Sequence, residues 1–250
     1  MSGHSKWAGI KHKKALIDAK KGKVFSKIAR EIIMAAKTGG NVESNAHLRL
    51  VIAKAKEANM PNDNIERALK KGTGELPGVS YEEISYEGYG PGGVAVVVDA
   101  LTDNKNRTTS EIRNIFTKRG GNLAGAGSVS WMFHKKGFIT VNKSKAQEDK
   151  VMSVAIESGA EDFQVEEDTY EITTEIKDYE RVRTALKDNG IECEIAELTM
   201  IPSNYIKLEG AQANQVLSLV ESLEDSDDVQ NVYANFDIPE EILQRHAKES

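Results

Sequence analysis

The sequence predicts an α+β protein: an N-terminal three-helix bundle with a basic arm, followed by two ferredoxin-like α/β-sandwich domains, one inserted in the other. Three observations carry this. Apolar residues recur at helical spacing from Val24 to Leu69. Past a Gly- and Pro-containing stretch near Gly74, β-branched and alternating runs take over. Residues 137–200 then follow the order β-α-β-β-α-β, the split pattern of ferredoxin-like folds.

Taken in order, residues 1–23 gather Lys6, Trp7, Lys11, His12, Lys13, Lys14, Lys20, Lys21 and Lys23 among few large apolar side chains. Such a stretch buries too little surface to offset its own conformational entropy, so it is expected as a mobile or loosely docked arm. From Val24 a helix places Phe25, Ile28, Ala29, Ile32 and Ala36 on one face and ends at Gly39-Gly40. A second is expected from about Asn45, with Leu48, Val51, Ile52 and Ala55 inward. A third follows Pro61, with Asp63 and Glu66 as a reciprocal cap and Gly72 as its stop. Three short amphipathic helices bury their stripes against one another.

Residues 73–80 read as a linker. Strands are expected at 81–87 and 94–101, and a capping box of Thr108 and Glu111 opens a helix that Gly120-Gly121 closes. A Gly-interrupted run ends in a strand carrying Val129, Trp131 and Phe133. The split unit comprises strands at 138–141, 163–167, 170–176 and 191–198, with helices opened by Ser144 with Gln147 and by Asp178. The tail is strand, helix, strand: 204–209, a helix through Val216, Leu219, Val220 and Leu223, then 229–236. That is half of the split pattern, and 94–133 is another half. Joined, they make a discontinuous domain of 79–134 plus 203–238, interrupted by an inserted domain of 135–202, after an arm and bundle of 1–78.

Charge divides along the same line. Residues 1–78 hold 16 Lys and Arg against 7 Asp and Glu, a net +9, whereas 79–250 hold 17 against 32, a net −15. A segregated basic segment points to a polyanionic partner. No apolar run approaches the roughly 20 residues that cross a bilayer, and Lys and His interrupt the N-terminus, so no membrane association is expected and the chain reads as cytoplasmic. A single cysteine, Cys193, excludes an internal disulfide and a multi-cysteine metal centre, and reads as a structural thiol.

Chemistry-bearing motifs are few. Gly88, Gly90 and Gly93 satisfy G-x-G-x-x-G, but Pro91 and a β-branched run stand where a helix N-terminus would meet a pyrophosphate. Residues 120–128 read as turns and bulges rather than a phosphate cradle. His4, His12, His47, His134 and His246 share no ligand motif, and neither G-x-S-x-G nor G-K-[ST] occurs. No enzyme, metal or cofactor is expected. Each Lys or Arg that meets a phosphate releases condensed counterions, so Lys6, Lys11, Lys13, Lys14, Lys20, Lys21, Lys23, Lys27 and Arg30 are assigned to a nucleic-acid backbone. Trp7, with His12 nearby, is placed to stack on an unpaired base or to anchor the arm on its own bundle.

The segments 3–32, 59–74, 86–98, 101–108, 120–133 and 227–238 closely resemble the bacterial YebC/PmpR family, which includes the mitochondrial translational activator of cytochrome oxidase subunit I. GHSKW, NMPNDNIERA and YEGYGPGG are the most specific of these; Gly9 and His47 depart from the family's usual Asn and Arg. The resemblance implies a three-domain α+β protein without enzymatic activity. Some members are described as DNA-binding transcriptional regulators and others as translation factors at the ribosome. With no helix-turn-helix signal and no dimerisation heptads, the expectation is a translation factor associated with the ribosome through ribosomal RNA. The alternative is a regulator bound to promoter DNA, with a small-molecule sensor or enzyme more remote.

Overall fold

The computed structural model describes residues 21–249, and the surroundings of side chains 22–246. Three helices come first: α1 (Lys21–Ala36), α2 (Ala46–Glu57) and α3 (Asn62–Thr73). Their core is Ile28, Ile32, Leu48, Val51, Ala55, Ile65 and Ala68, the stripes that helical spacing marks. Asn45 joins the first two. Its Oδ1 accepts the Leu48 amide at 3.0 Å, while its Nδ2 donates to the Ala35 and Gly39 carbonyls at 2.8 and 2.7 Å.

Two local expectations fail here. α3 opens on Pro61 without a side-chain cap, so Asp63 sits in its first turn and complements the helix dipole. The stop is Gly74, left-handed at φ 84°, rather than Gly72. Gly72 lies inside α3 for a different reason: a Cβ there would come within 2.6 Å of both the Ala36 Cβ and the Ile33 carbonyl, so its bare backbone lets α1 and α3 approach.

After residues 74–80, strands β1 (Glu82–Tyr89), β2 (Ala95–Thr102), β3 (Asn122–Leu123) and β9 (Val229–Ala234) form an antiparallel sheet in the order β3-β1-β2-β9. Helices α4 (Lys105–Lys118) and α7 (Gly210–Glu224) cover one face, packing Ile112, Phe116, Val216, Leu219 and Leu223 against Val96, Val98 and Val232. The tail does return to the earlier half, through β9 on β2. Its first strand does not: β8 (Ile206–Lys207) pairs in parallel with β10 (Phe236–Asp237) outside the sheet, and β1 fills the slot beside β2. α4 opens at Asn104, whose Oδ1 accepts the Arg107 amide at 3.1 Å, so Thr108 is an interior residue and not a cap.

The second sheet has the order β5-β6-β4-β7, from β4 (Phe133–Asn142), β5 (Asp162–Val165), β6 (Thr169–Thr174) and β7 (Ile195–Pro202), all antiparallel. α5 (Glu148–Glu157) and α6 (Ile176–Asp188) cover one face through Val151, Ala155, Val182 and Leu186. α5 has no side-chain cap, and residues 191–194 are a loop, so Cys193 precedes β7. A short 3-10 turn, Ser130–Met132, replaces the strand expected at Trp131. β4 starts at Phe133 and runs unbroken, pairing with β7 from Phe133↔Pro202 to Thr140↔Ile195. Position 134/135, the expected boundary between units, therefore lies inside a strand. A terminal helix that the sequence pattern did not suggest, α8 (Glu240–Glu249), packs Leu243 into the first sheet's core.

The buried clusters are separate. That of the bundle draws only on residues 24–81, and none of the other clusters takes a residue from that span. Tyr81 packs at the edge of the bundle's cluster, and hydrogen bonds from Lys23, Lys27, Arg30 and Lys37 also join the bundle to the remainder.

Candidate nucleic-acid interface

Lys23, Lys27 and Arg30 are the sequence-assigned cations whose side chains are described. At i, i+4 and i+7 they line one face of α1. That face lies on residues 224–228, between α7 and β9. Lys27 Nζ donates to the Glu224 carbonyl at 2.6 Å and Lys23 Nζ to the Asp225 carbonyl at 3.1 Å. These carbonyls belong to the end of α7, where backbone acceptors lack helical partners and the dipole is negative, so two ammonium groups complement them. Arg30 donates to the Asp227 carbonyl and, at 3.0 Å, to Asp228 Oδ1; its guanidinium also lies 5.5 Å from the centre of the Tyr81 ring.

Asp228, only 3% exposed, is the centre of this junction. Its Oδ2 accepts from Thr108 Oγ1 at 2.6 Å, Arg107 at 2.8 Å and Thr102 Oγ1 at 3.2 Å. Burial alone would raise its carboxyl; hydrogen bonds from Arg107 and Thr108, with the charges of Arg107 and Arg30, outweigh burial and hold it below the ordinary aspartate range. A polar cleft of about 440 Å³ opens beside it, lined by Lys23, Arg30, Asp103, Arg107, Asp225 and Asp227.

Lys21 opens α1. Lys6, Trp7, Lys11, His12, Lys13, Lys14 and Lys20 lie outside the described residues. A second group of cations was not singled out by the sequence reading. Arg67, Lys70 and Lys71 recur at i, i+3 and i+4 on α3, exposed like Lys56 on α2, and these side chains make no hydrogen bond or ion pair among the described residues. Their spacing was the signal, hidden because the denser run at 1–23 drew the charge argument to itself.

The glycine motifs resolve into structure. Gly90 to Gly93 form a turn in which Leu208 and Leu219 crowd the Gly92 and Gly90 positions, and β2 rather than a helix follows. Residues 124–130 do form an anion-binding nest of amides, already filled by the protein's own carboxylate. Glu87 Oε1 accepts the Gly127 amide at 2.7 Å and Oε2 those of Val129 and Ser130 at 2.7 and 2.8 Å. Burial pushes the Glu87 carboxyl up, and the three amides bring it below its ordinary value. Just beyond, Trp131 is 69% exposed, its indole N–H donating to the Ser128 carbonyl.

The groove on the second sheet is unsuited to phosphate. Of about 360 Å³, it carries Glu161, Glu171 and Glu197, and its Lys136 is held by Glu161 and Glu175. Burial pushes the Cys193 thiol up, away from the thiolate a nucleophile needs. Among the described residues no group of three or more His, Cys, Asp or Glu is placed to hold a metal ion, and no helix is long and apolar enough to cross a membrane.

Two family models match this chain in succession. Residues 5–75 match the TACO1/YebC protein N-terminal domain, and residues 81–236 match the TACO1/YebC second and third domain. The chain belongs to the TACO1/YebC family. Members similar to it include a probable transcriptional regulatory protein of Natranaerobius thermophilus, 59% identical over 248 residues, covering 98% of this chain and 99% of that one. Another, of Dictyoglomus turgidum, bears the same name and is 57% identical over 246 residues, covering 98% and 99%. The crystal structure of a conserved hypothetical protein from Aquifex aeolicus superposes with a TM-score of 0.80 at 50% identity, over 91% of this chain and 94% of that one. The boundary between the two family models, residues 76–80, falls within the exposed segment that separates α3 from β1.

Proposed function

We propose that this TACO1/YebC protein is a non-enzymatic regulator of gene expression that binds nucleic acid through its basic N-terminal quarter and acts on transcription. One observation carries the binding: a net +9 segment on a remainder of net −15, with the exposed cations Lys56, Arg67, Lys70 and Lys71 left without a described partner. Cations held free of acidic partners are available to displace counterions from a phosphate backbone. The names carried by its relatives favour transcription, the alternative in the sequence reading, over the ribosomal role placed first there. Residues 1–23 supply the larger share of the charge, and the acidic sheets keep the rest of the surface off the polyanion.

Crosslinking of bound nucleic acid in cells, followed by sequencing, tests this. Discrete promoter DNA, bound in vitro about a thousandfold or more tighter than random duplex, is the expected result. Predominantly ribosomal RNA would replace transcription by the translational role. No enrichment over an uncrosslinked control would remove nucleic-acid binding altogether.

A further inference from the structure

We infer that residues 224–228 act as an internal phosphate mimic, covering the Lys23–Lys27–Arg30 face of α1 in the resting protein and giving way to nucleic acid. The inference rests on the nucleic-acid binding proposed above and adds that part of the binding surface is kept occupied.

The contacts have the required chemistry. Three cations on one helix face meet a short run of main-chain carbonyls and carboxylates, with Lys27 on the Glu224 carbonyl, Lys23 on that of Asp225, and Arg30 on the Asp227 carbonyl and Asp228 Oδ1. Oxygen acceptors in series, carrying net negative charge, are what a phosphodiester backbone also presents. From Lys23 to Arg30 the face spans about 10 Å of helix.

The contact is also built to release. Asp228 keeps Thr102, Arg107 and Thr108 when Arg30 departs, so no buried carboxylate is stranded. The carbonyls of 224 and 225 end a helix at the surface, where water can take the place of the lysines. No apolar cluster ties α1 to the 224–228 segment, since the bundle's core ends with Tyr81. Other links between the bundle and the body include a 3.5 Å pair of Arg183 with Glu57, the Lys37 bonds to the Tyr81 carbonyl and Ser80 Oγ, and the Arg30–Tyr81 contact. The outer end of the junction, Lys23 with Asp225, is exposed charge that salt weakens and a stronger polyanion contests, while the Arg30–Asp228 pair is largely buried and is screened less.

The test uses the full chain and two probes, a 20-nucleotide single strand and a random 30-base-pair duplex, with affinity measured against salt. Asp225→Asn with Asp227→Asn removes two exposed charges and leaves the Asp228 network intact. This double variant is expected to bind about tenfold tighter. Its log–log salt slope should steepen by about two, as cations once shared with the loop contribute fully. In the unaltered protein, adding probe should speed amide hydrogen exchange at 225–229. A wild-type chain that binds probe, with the double variant unchanged in affinity and slope, would overturn the mimic and leave the proposed function standing. A wild-type chain that binds neither probe overturns both. Thermal melting of the double variant checks that its fold is kept.

Discussion

Thr108 Oγ1 and Asp228 Oδ2 lie 2.6 Å apart across 120 residues of sequence, and that bond ties the interior of α4 to the segment that seats α1. Removing the carboxylate takes a shared acceptor from Thr102, Arg107, Thr108 and Arg30, leaving Arg107 with Asp103 and Thr108 with Thr102 and the Asn104 carbonyl. Asp228→Ala is expected to cost about 3–5 kcal/mol, measured by urea unfolding. Asp228→Asn, which keeps one acceptor, should cost less.

The same residue sets a pH dependence. Its folded carboxyl titrates below the ordinary value, so the unfolded chain takes up the proton more readily. Its stabilisation is complete above the ordinary aspartate value of about 3.9 and is lost as pH falls through the folded value. Unfolding free energy measured from pH 7 downwards should decline more steeply below about pH 4 in the wild type than in Asp228→Asn.

Glu87 holds the 124–130 segment by three amides, and Glu87→Ala leaves those donors empty in a largely buried site. A loss of about 2–4 kcal/mol is expected. In a Trp7→Phe background Trp131 is the sole tryptophan, and its fluorescence anisotropy should fall as the segment loosens. An unchanged anisotropy would mean that Glu87 does not order the turn.

Gly72→Ala should cost about 1–3 kcal/mol, because its methyl group meets the Ile33 carbonyl and Ala36 within 2.6 Å and α1 must move off α3. By contrast, alanines at Arg67, Lys70 and Lys71 touch nothing buried. They should leave stability within about 0.5 kcal/mol while weakening duplex binding and flattening its salt slope by about 2.7.

Patterns that depend on near neighbours were legible in the sequence. The stripe Ile28–Ile32–Ala36, the β-branched run of β2 and the β-α-β-β-α-β succession of elements from β4 to β7 all follow from local pattern, and each has its counterpart in the structure. Misplaced features turn on distant partners. Thr108 looked like a cap because Ser, Thr and Glu spacing is read locally, whereas its hydroxyl is claimed by Asp228. Gly72 looked like a stop until the approach of α1 supplied another use for a missing Cβ. β8 left the sheet because β1, outside the split pattern, had already filled the place next to β2. At the candidate site, charge segregation was visible in composition, but the acceptors of Lys23, Lys27 and Arg30 lie nearly two hundred residues away, and no local rule reaches that far.

β4 has one more consequence, for how the gene can be dissected. Because a single strand pairs with β7 from Phe133 to Thr140 and its first residue, Phe133, packs beneath the first sheet with Val97 and Val129, no fragment can encode one sheet without severing backbone that the other needs. The exposed residues 74–80 carry no such shared strand. A coding sequence divided there leaves a small basic piece and a large acidic one, and takes from the bundle's core only Tyr81 at its edge. They are free to be expressed apart, exchanged between relatives, or joined by a different span.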